Sequence, residues 1–78
     1  MPAGFWKHPT KVGTFSIRKM QGRWHALFED ESLGSYATPQ KAADDLAGGH
    51  TFFPSNGVDP STLGLTNDLA EWEFVRAG

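Results

Sequence analysis

The sequence predicts an α+β fold: a three-stranded antiparallel sheet with one helix packed on one face, plus a loop-rich carboxy-terminal segment with short helical turns. Two segments of alternating apolar and polar residues flank a Gln-Gly dipeptide, which is typical of a tight β-hairpin. A short third strand precedes a Thr-Pro pair, which favours the start of a helix. Turn-forming residues then dominate the rest of the chain.

The 78 residues predict one domain with three segments. Residues 1–11 contain two prolines and one glycine, so we expect an irregular arm there. Residues 12–49 form the predicted sheet-helix unit, and residues 50–78 form the loop-rich carboxy-terminal segment. Only one small core is expected, and the three tryptophans and six phenylalanines supply much of its apolar area.

The first two strands are predicted over residues 12–20 and 23–29. Successive side chains of a strand point to opposite faces, so every second residue shares a face. One face carries the apolar residues that would form the core, and the other is polar or basic. The core positions are Phe15, Ile17, Trp24, Ala26 and Phe28.

The third strand is predicted over residues 33–37, and the helix begins after it. Thr38 is placed to cap the helix with its hydroxyl, and Pro39 suits the first helical position. Gly48-Gly49 predicts the end of the helix, because glycine readily takes the left-handed conformation of a C-cap. The stripe that would pack on the sheet is Ala42, Ala43, Leu46 and Ala47.

Two short helical turns are predicted in the carboxy-terminal segment. Asp59-Pro60 combines a capping side chain with a proline and starts the first turn. Asp68 and Glu71 have the spacing of a capping-box variant and start the second, which leads into Trp72. A further tight turn is predicted over residues 54–57.

Composition narrows the compartment and the chemistry. The chain has no cysteine, so it offers neither a disulfide nor a thiolate metal site. It lacks an apolar run of roughly 20 residues and a signal-peptide pattern, so we expect a cytoplasmic protein of bacterial origin with no membrane partner. Residues 1–28 carry five cations and no acid, whereas residues 29–78 carry nine acids and two cations. The halves either neutralise each other on the folded surface or provide a basic surface for a partner.

The sequence contains no catalytic or metal-binding pattern. Its three histidines, His8, His25 and His50, are too far apart to match a local set of metal ligands. Asp44 and Asp45 are adjacent in the predicted helix and therefore point in different directions. No serine lies in a nucleophile elbow. We predict a protein that is not an enzyme and that holds no metal and no cofactor.

Residues 22–49 combine a Gly-basic-aromatic strand, a Leu-Gly-polar-aromatic strand, and a threonine followed by an Ala-Ala pair. The positions that carry this pattern are Gly22, Arg23, Trp24, Ala26, Phe28, Leu33, Gly34, Tyr36, Thr38, Ala42 and Ala43. Over residues 13–49 the chain thus resembles the sheet-plus-helix unit of ethylene-response-factor-type and integrase amino-terminal DNA-binding domains. The resemblance implies the same architecture, with the outer face of the sheet lying in the major groove of duplex DNA.

The sheet face opposite the helix is the candidate binding surface. Its candidate residues are Arg18, Lys19, Arg23, His25, Leu27 and Tyr36. Arginine and aromatic residues are frequent anchors of interfaces, so the first hypothesis is an interaction module that binds a protein or another macromolecule. The alternative is a weak or context-dependent DNA-binding domain that uses Arg18, Lys19, Arg23 and Trp24. The acidic Glu29 on the same strand disfavours DNA.

Two further alternatives stay open. In one, the carboxy-terminal aromatic residues or the Phe5-Trp6 pair fold back and cover the outer face. In the other, a small-molecule pocket lies near His50 to Phe53. We expect a protein partner rather than DNA, and a monomer or weak dimer.

Overall fold

The computed structural model describes residues 3–51, 54, 57 and 59–77. Its elements are β1 (Ala3–Thr10), β2 (Gly13–Met20), β3 (Arg23–Phe28), β4 (Glu31–Tyr36), α1 (Pro39–Gly48) and β5 (Glu73–Ala77). Two 3₁₀ turns, Pro60–Thr62 and Leu69–Glu71, lie between α1 and β5. The strands form one antiparallel sheet in the order β4-β3-β2-β1-β5.

The predicted three-stranded sheet is wrong, because the sheet has five strands. The broader α+β class, with one helix on the sheet, is correct. β1 is formed by residues that were expected to be an irregular arm, and β5 by the end of the segment expected to be loop-rich. These two strands pair with each other, from Ala3 opposite Ala77 to Lys7 opposite Glu73. The two strands are far apart in sequence and no turn joins them, so no hairpin motif predicts their pairing.

The residues that indicated an irregular arm have specific places in β1. Pro9 is opposite Thr14 of β2, beyond the last residue of β1 that β5 reaches. One side of β1 has no adjacent strand there, so a residue without an N–H is tolerated. Gly4 makes room for an aromatic ring of β5, because a Cβ built on Gly4 would lie 2.8 Å from Cε2 of Phe74.

The core lies between α1 and one face of the sheet, called here the helix side. Phe28 is 9% exposed, and its ring centroid is 4.8 Å from that of Phe15. Trp24 was expected in the core, but it is half-buried and packs at the margin. Leu65 and Trp72 of the carboxy-terminal segment complete the core. Its most enclosed members are Phe15, Ile17, Ala26, Leu33, Ala42, Ala43 and Leu46.

The hairpin turn and the helix caps are confirmed. The β2–β3 turn uses positive φ angles at Gln21 (54°) and Gly22 (81°), as a tight hairpin requires. The Lys41 N–H donates to Oγ1 of Thr38 at 3.2 Å, which fixes the start of α1. Gly49 ends the helix in the left-handed conformation, with φ 75°.

The predicted turns of the carboxy-terminal segment are also present. Asp59 and Asp68 each accept a hydrogen bond from the backbone N–H two residues further on, and each caps one of the 3₁₀ turns. The Gly57 N–H donates to the Pro54 carbonyl at 2.9 Å, which closes the turn predicted there. Ser55 and Asn56 lie outside the described residues.

α1 is ten residues long and contacts β2, β3 and β4. Its buried stripe consists of Ala42, Ala43 and Leu46, and the two small side chains allow the helix to lie close to the sheet. Within the described part of the chain, no helix has the length and apolar character needed to cross a bilayer.

Candidate interaction surface

The sheet face opposite α1, called here the outer face, is left uncovered by the described elements. β5 adds to the edge of the sheet and does not cross over it. Trp72 packs into the core on the helix side, and Trp6 lies on that side with it. The carboxy-terminal aromatic residues therefore widen the sheet, contrary to the alternative in which they cover the outer face.

A groove of about 510 Å³ runs over the outer face and spans β1, β2 and β3. Its floor includes Ser16 and Leu27, which are opposite each other in register and are only 6% and 5% exposed. Met20 lies at one end of the groove and is 38% exposed. The groove thus combines a closely packed floor with an accessible apolar side chain.

One wall of the groove is built by a cation stacked on an aromatic ring. The guanidinium carbon of Arg18 lies 3.7 Å from the centroid of the Phe5 ring. A contact of this kind is attractive and restrains the guanidinium against the face of the ring. Arg18 is therefore presented in a restricted orientation although it is exposed.

The end of the outer face next to the β2–β3 turn is basic. His25 is opposite Arg18 in register, and Arg23 is opposite Met20. The Arg23 Nε donates to Oγ of Ser35 at 3.2 Å, which directs its guanidinium toward β4. This end therefore carries two arginines and one histidine.

The opposite end of the outer face is acidic. Glu29 and Asp30 line the groove there, and Oε2 of Glu29 accepts a hydrogen bond from the Thr14 N–H at 2.6 Å. Glu73 of β5 lies 3.9 Å from the Nζ atom of Lys7. Among the described residues, the outer face therefore carries both signs of charge, and the two signs are separated along the strands.

Four of the six sequence-predicted site residues share the outer face: Arg18, Arg23, His25 and Leu27. Leu27 is too buried to project toward a partner and forms part of the floor. Lys19 and Tyr36 lie on the helix side, because Lys19 is opposite Trp24 and Trp24 is opposite Tyr36. The structure thus divides the predicted set between the two faces.

A β-bulge explains why Tyr36 is not on the outer face. Ala26 is opposite Gly34 and Leu27 is opposite Ser32, so Leu33 has no residue opposite it. Strict alternation from the buried Leu33 would send Tyr36 outward, three residues later. One extra residue in the strand shifts the alternation, and both side chains lie on the helix side.

Tyr36 is part of a polar contact between β4 and α1. Burial, together with a hydrogen bond to the Asp45 carboxylate and the charge of that carboxylate, raises the pKa of Tyr36 to about 12. Tyr36 therefore lies in the edge strand β4, next to α1. Its hydroxyl is therefore engaged within the protein.

The four residues of the DNA-binding alternative do not share a surface either. Arg18 and Arg23 lie on the outer face, whereas Lys19 and Trp24 lie on the helix side. An arginine that reads guanine needs both ends of its guanidinium free. Here Arg23 already donates from Nε and Nη2 to Ser35, whereas the stacking of Arg18 on Phe5 engages only the face of its guanidinium.

The remaining chemical candidates are dispersed. Within the described ranges, no three histidine, aspartate or glutamate side chains gather as metal ligands. A depression of about 370 Å³ beside β4 is lined in part by Tyr36, His50 and Thr51. The buried Oγ1 atom of Thr51 has no hydrogen-bond partner among the described residues. The neighbouring Phe52 and Phe53, which the small-molecule alternative includes, lie outside the described residues.

Sequence reasoning missed the contribution of β1 to the groove, which consists of Phe5 and Lys7. Both belong to β1, and the available signal was the alternation of Phe5 and Lys7 with Trp6 and His8. Comparison of the chain with protein-family models, with curated proteins and with solved structures finds no match.

Proposed function

We propose that this protein is a small non-enzymatic interaction module of the cytoplasm that binds a partner protein through the outer face of its sheet. The open groove is the observation that carries the proposal. Its floor is formed in part by Leu27, and its wall by Arg18 stacked on Phe5. Arginine and aromatic side chains beside a desolvated floor are the groups that typically dominate binding energy.

The charges of the groove favour an extended partner segment that carries one acidic and one basic residue. Arg18 and Thr14 are four residues apart on β2, and Thr14 is bonded to Glu29. The basic and acidic ends are therefore separated by roughly 13 Å along the strand. A partner segment with an acidic and a basic residue about four positions apart would match both ends. An apolar side chain between them would lie over Ser16 and Leu27, and one beyond the acidic residue would contact Met20.

Duplex DNA is the less favoured partner. Glu29, Asp30 and Glu73 would face the phosphates, and the basic end offers only two arginines. Each neutralised phosphate contributes to affinity through counterion release, so two or three contacts give weak binding that salt abolishes. A sequence pI of about 5.8 also supports this order of preference.

Selection of short random peptides on the immobilised protein tests the proposal. We expect enriched peptides to carry an acidic residue, an apolar residue and a basic residue in that spacing. Binding of a labelled selected peptide is then measured by fluorescence anisotropy. Arg18→Ala and Met20→Ala should each weaken binding by roughly ten-fold, which is the effect of an interface anchor.

Lys19→Ala is the matched control, because Lys19 is adjacent to Arg18 in the chain but lies on the other face. Its peptide affinity should equal that of the wild type. Failure to enrich any sequence, or an equal loss in the Lys19 variant, would refute the proposal. Sequence-selective binding of duplex DNA at moderate salt, lost in Arg18→Ala, would establish the DNA alternative instead.

A further inference from the structure

A second exposed surface lies on the helix side of the sheet, at the margin that α1 leaves uncovered. It consists of three aromatic residues, Trp6, Trp24 and Phe74, and two cations, Lys19 and Arg76; we call it the aromatic patch. Phe74 is 51% exposed, and the two tryptophans are half-buried. Neighbouring aromatic rings that stay partly exposed are a common feature of binding sites.

The rings of the aromatic patch are held by each other. The Trp6 centroid lies 4.9 Å from that of Phe74 in an edge-on arrangement and 5.5 Å from that of Trp24. Gly4 leaves room for the Phe74 ring beside β1, since any larger residue would meet that ring. The rings therefore have fixed positions before any partner arrives, which lowers the entropic cost of binding.

The cations of the patch lie in the same row of the sheet as Gly4 and Trp24. Arg76 is opposite Gly4, and Lys19 is opposite Trp24. Both cations are exposed, and neither makes an ion pair with another described residue. Tyr36, which is opposite Trp24 at the end of this row, is hydrogen-bonded to Asp45.

We propose that the aromatic patch binds single-stranded nucleic acid, with bases stacked on Trp24, Trp6 and Phe74 and phosphates bound by Lys19 and Arg76. Aromatic rings accept the flat face of any base, and nearby cations follow the backbone. The patch extends from β5 to β3, roughly 14 Å, which suits two or three stacked bases. Stacking on the three rings supplies most of the expected affinity, and Lys19 and Arg76, which form no ion pair with another described residue, add two phosphate contacts.

Oligothymidine and oligouridine of equal length test the proposal, with a duplex of mixed sequence as a third arm. Binding at low salt is followed by quenching of tryptophan fluorescence and by anisotropy of the labelled strand. Both single strands should bind, and the duplex should bind at least ten-fold more weakly because its base faces are hidden. Binding of the deoxy strand alone, or of the ribo strand alone, would specify the natural ligand without altering the site.

Variants of the aromatic patch and of the outer face test where the oligonucleotide binds. Phe74→Ala should weaken binding roughly ten-fold, as expected for one lost stacking contact. Lys19→Ala should reduce the dependence of log K on log salt by about 0.7, the share of one phosphate contact on a single strand. Arg18→Ala, on the outer face, is the matched control and should bind like the wild type. Circular dichroism checks that each variant is folded.

The proposal is refuted if folded wild-type protein binds neither strand, if the duplex binds equally well, or if Arg18→Ala and Lys19→Ala lose the same affinity. A change of oligomeric state in Phe74→Ala, without oligonucleotide binding in the wild type, would identify the patch as a contact between protein molecules. Because the two faces are tested by different variants, these outcomes do not affect the peptide-binding proposal.

Discussion

Phe28 shows how one side chain ties the sheet, the hairpin turn and the core together. Its ring packs against Phe15 and also lies over Gly13, where a Cβ would be 2.6 Å from the Phe28 Cζ atom. Gly13 has φ 148°, a region that favours glycine. The ring and the glycine therefore depend on each other at the start of β2.

We predict that Phe28→Ala lowers the free energy of unfolding by roughly 3–5 kcal/mol, the usual effect of removing a core aromatic ring. That loss is a large part of the stability of a small domain, so the variant should be largely unfolded. Thermal unfolding followed by circular dichroism measures the effect. Val12→Ala removes an exposed side chain and should leave the midpoint unchanged. An unaltered midpoint in Phe28→Ala would contradict the assignment of the core.

Tyr36 provides a pH-dependent prediction, and it is the single tyrosine of the chain. Its pKa is raised from 10.0 to about 12, first by burial and then by Asp45. As the pH rises from 10 to 12, the unfolded chain loses its phenol proton before the folded protein does. The folded state therefore loses stability across this window.

Spectrophotometric titration of the phenolate should give a midpoint near pH 12 for the folded protein. Asp45→Asn should lower the pKa of Tyr36, although not to its ordinary value, because burial remains the largest cause. A midpoint near 10 in the wild type would show that Tyr36 is open to solvent and not bonded to Asp45.

At the scale of elements, the signals that the sequence carries are those that act over a few residues. The positive φ angles at Gln21 and Gly22, the cap at Thr38 and the C-cap at Gly49 follow from local chemistry, so all were predictable. β1 was not predictable, because Gly4 and Pro9 taken alone indicate a loop. Their places in a strand become clear only when the position of the distant Phe74 and the end of β5 are known. The bulge at Leu33 likewise has no local signature, which is why Tyr36 was expected on the wrong face.

The start of α1 offers a test at this scale. Thr38→Ala removes the hydroxyl that accepts the Lys41 N–H and should lower the free energy of unfolding by about 1 kcal/mol. For a chain of this size the melting temperature should fall by roughly 5 °C. Thr38→Ser retains the acceptor and should be nearly neutral. Equal losses in both variants would show that the hydroxyl is not the stabilising group.

At the scale of the whole molecule, the two faces of one sheet have different characters. The outer face separates basic and acidic groups along its strands, and the margin of the helix side combines aromatic rings with cations. The alternation of residues in the sequence predicted which side chains of β2 and β3 lie on the outer face. It did not reveal the groove or the aromatic patch, because Phe5, Trp6 and Phe74 reach these surfaces only through the pairing of β1 with β5.

Removal of β5 tests the importance of that pairing. A chain that ends after Trp72 loses the contact of Phe74 with Trp6 and leaves the edge of β1 unpaired. We expect a lower melting temperature and, because an unprotected edge pairs with other chains, association detectable by light scattering. Phe74→Ala in the full chain keeps the strand and should remain monodisperse. A stable, monodisperse truncated protein would show that β5 adds little to the fold.

The partnership of Ala3 with Ala77 also means that the backbone nearly forms a ring. Opposite residues of antiparallel strands have Cα atoms about 5 Å apart, so a linker of a few residues would join them without moving the sheet. Such a cyclic chain has fewer unfolded conformations and should gain roughly 4 kcal/mol of stability by loop-closure entropy. The ring could then be opened at the β2–β3 turn, which would make β1 and β5 neighbours in sequence. Their pairing, which joins residues far apart in the natural chain and should therefore form slowly, would become a local hairpin.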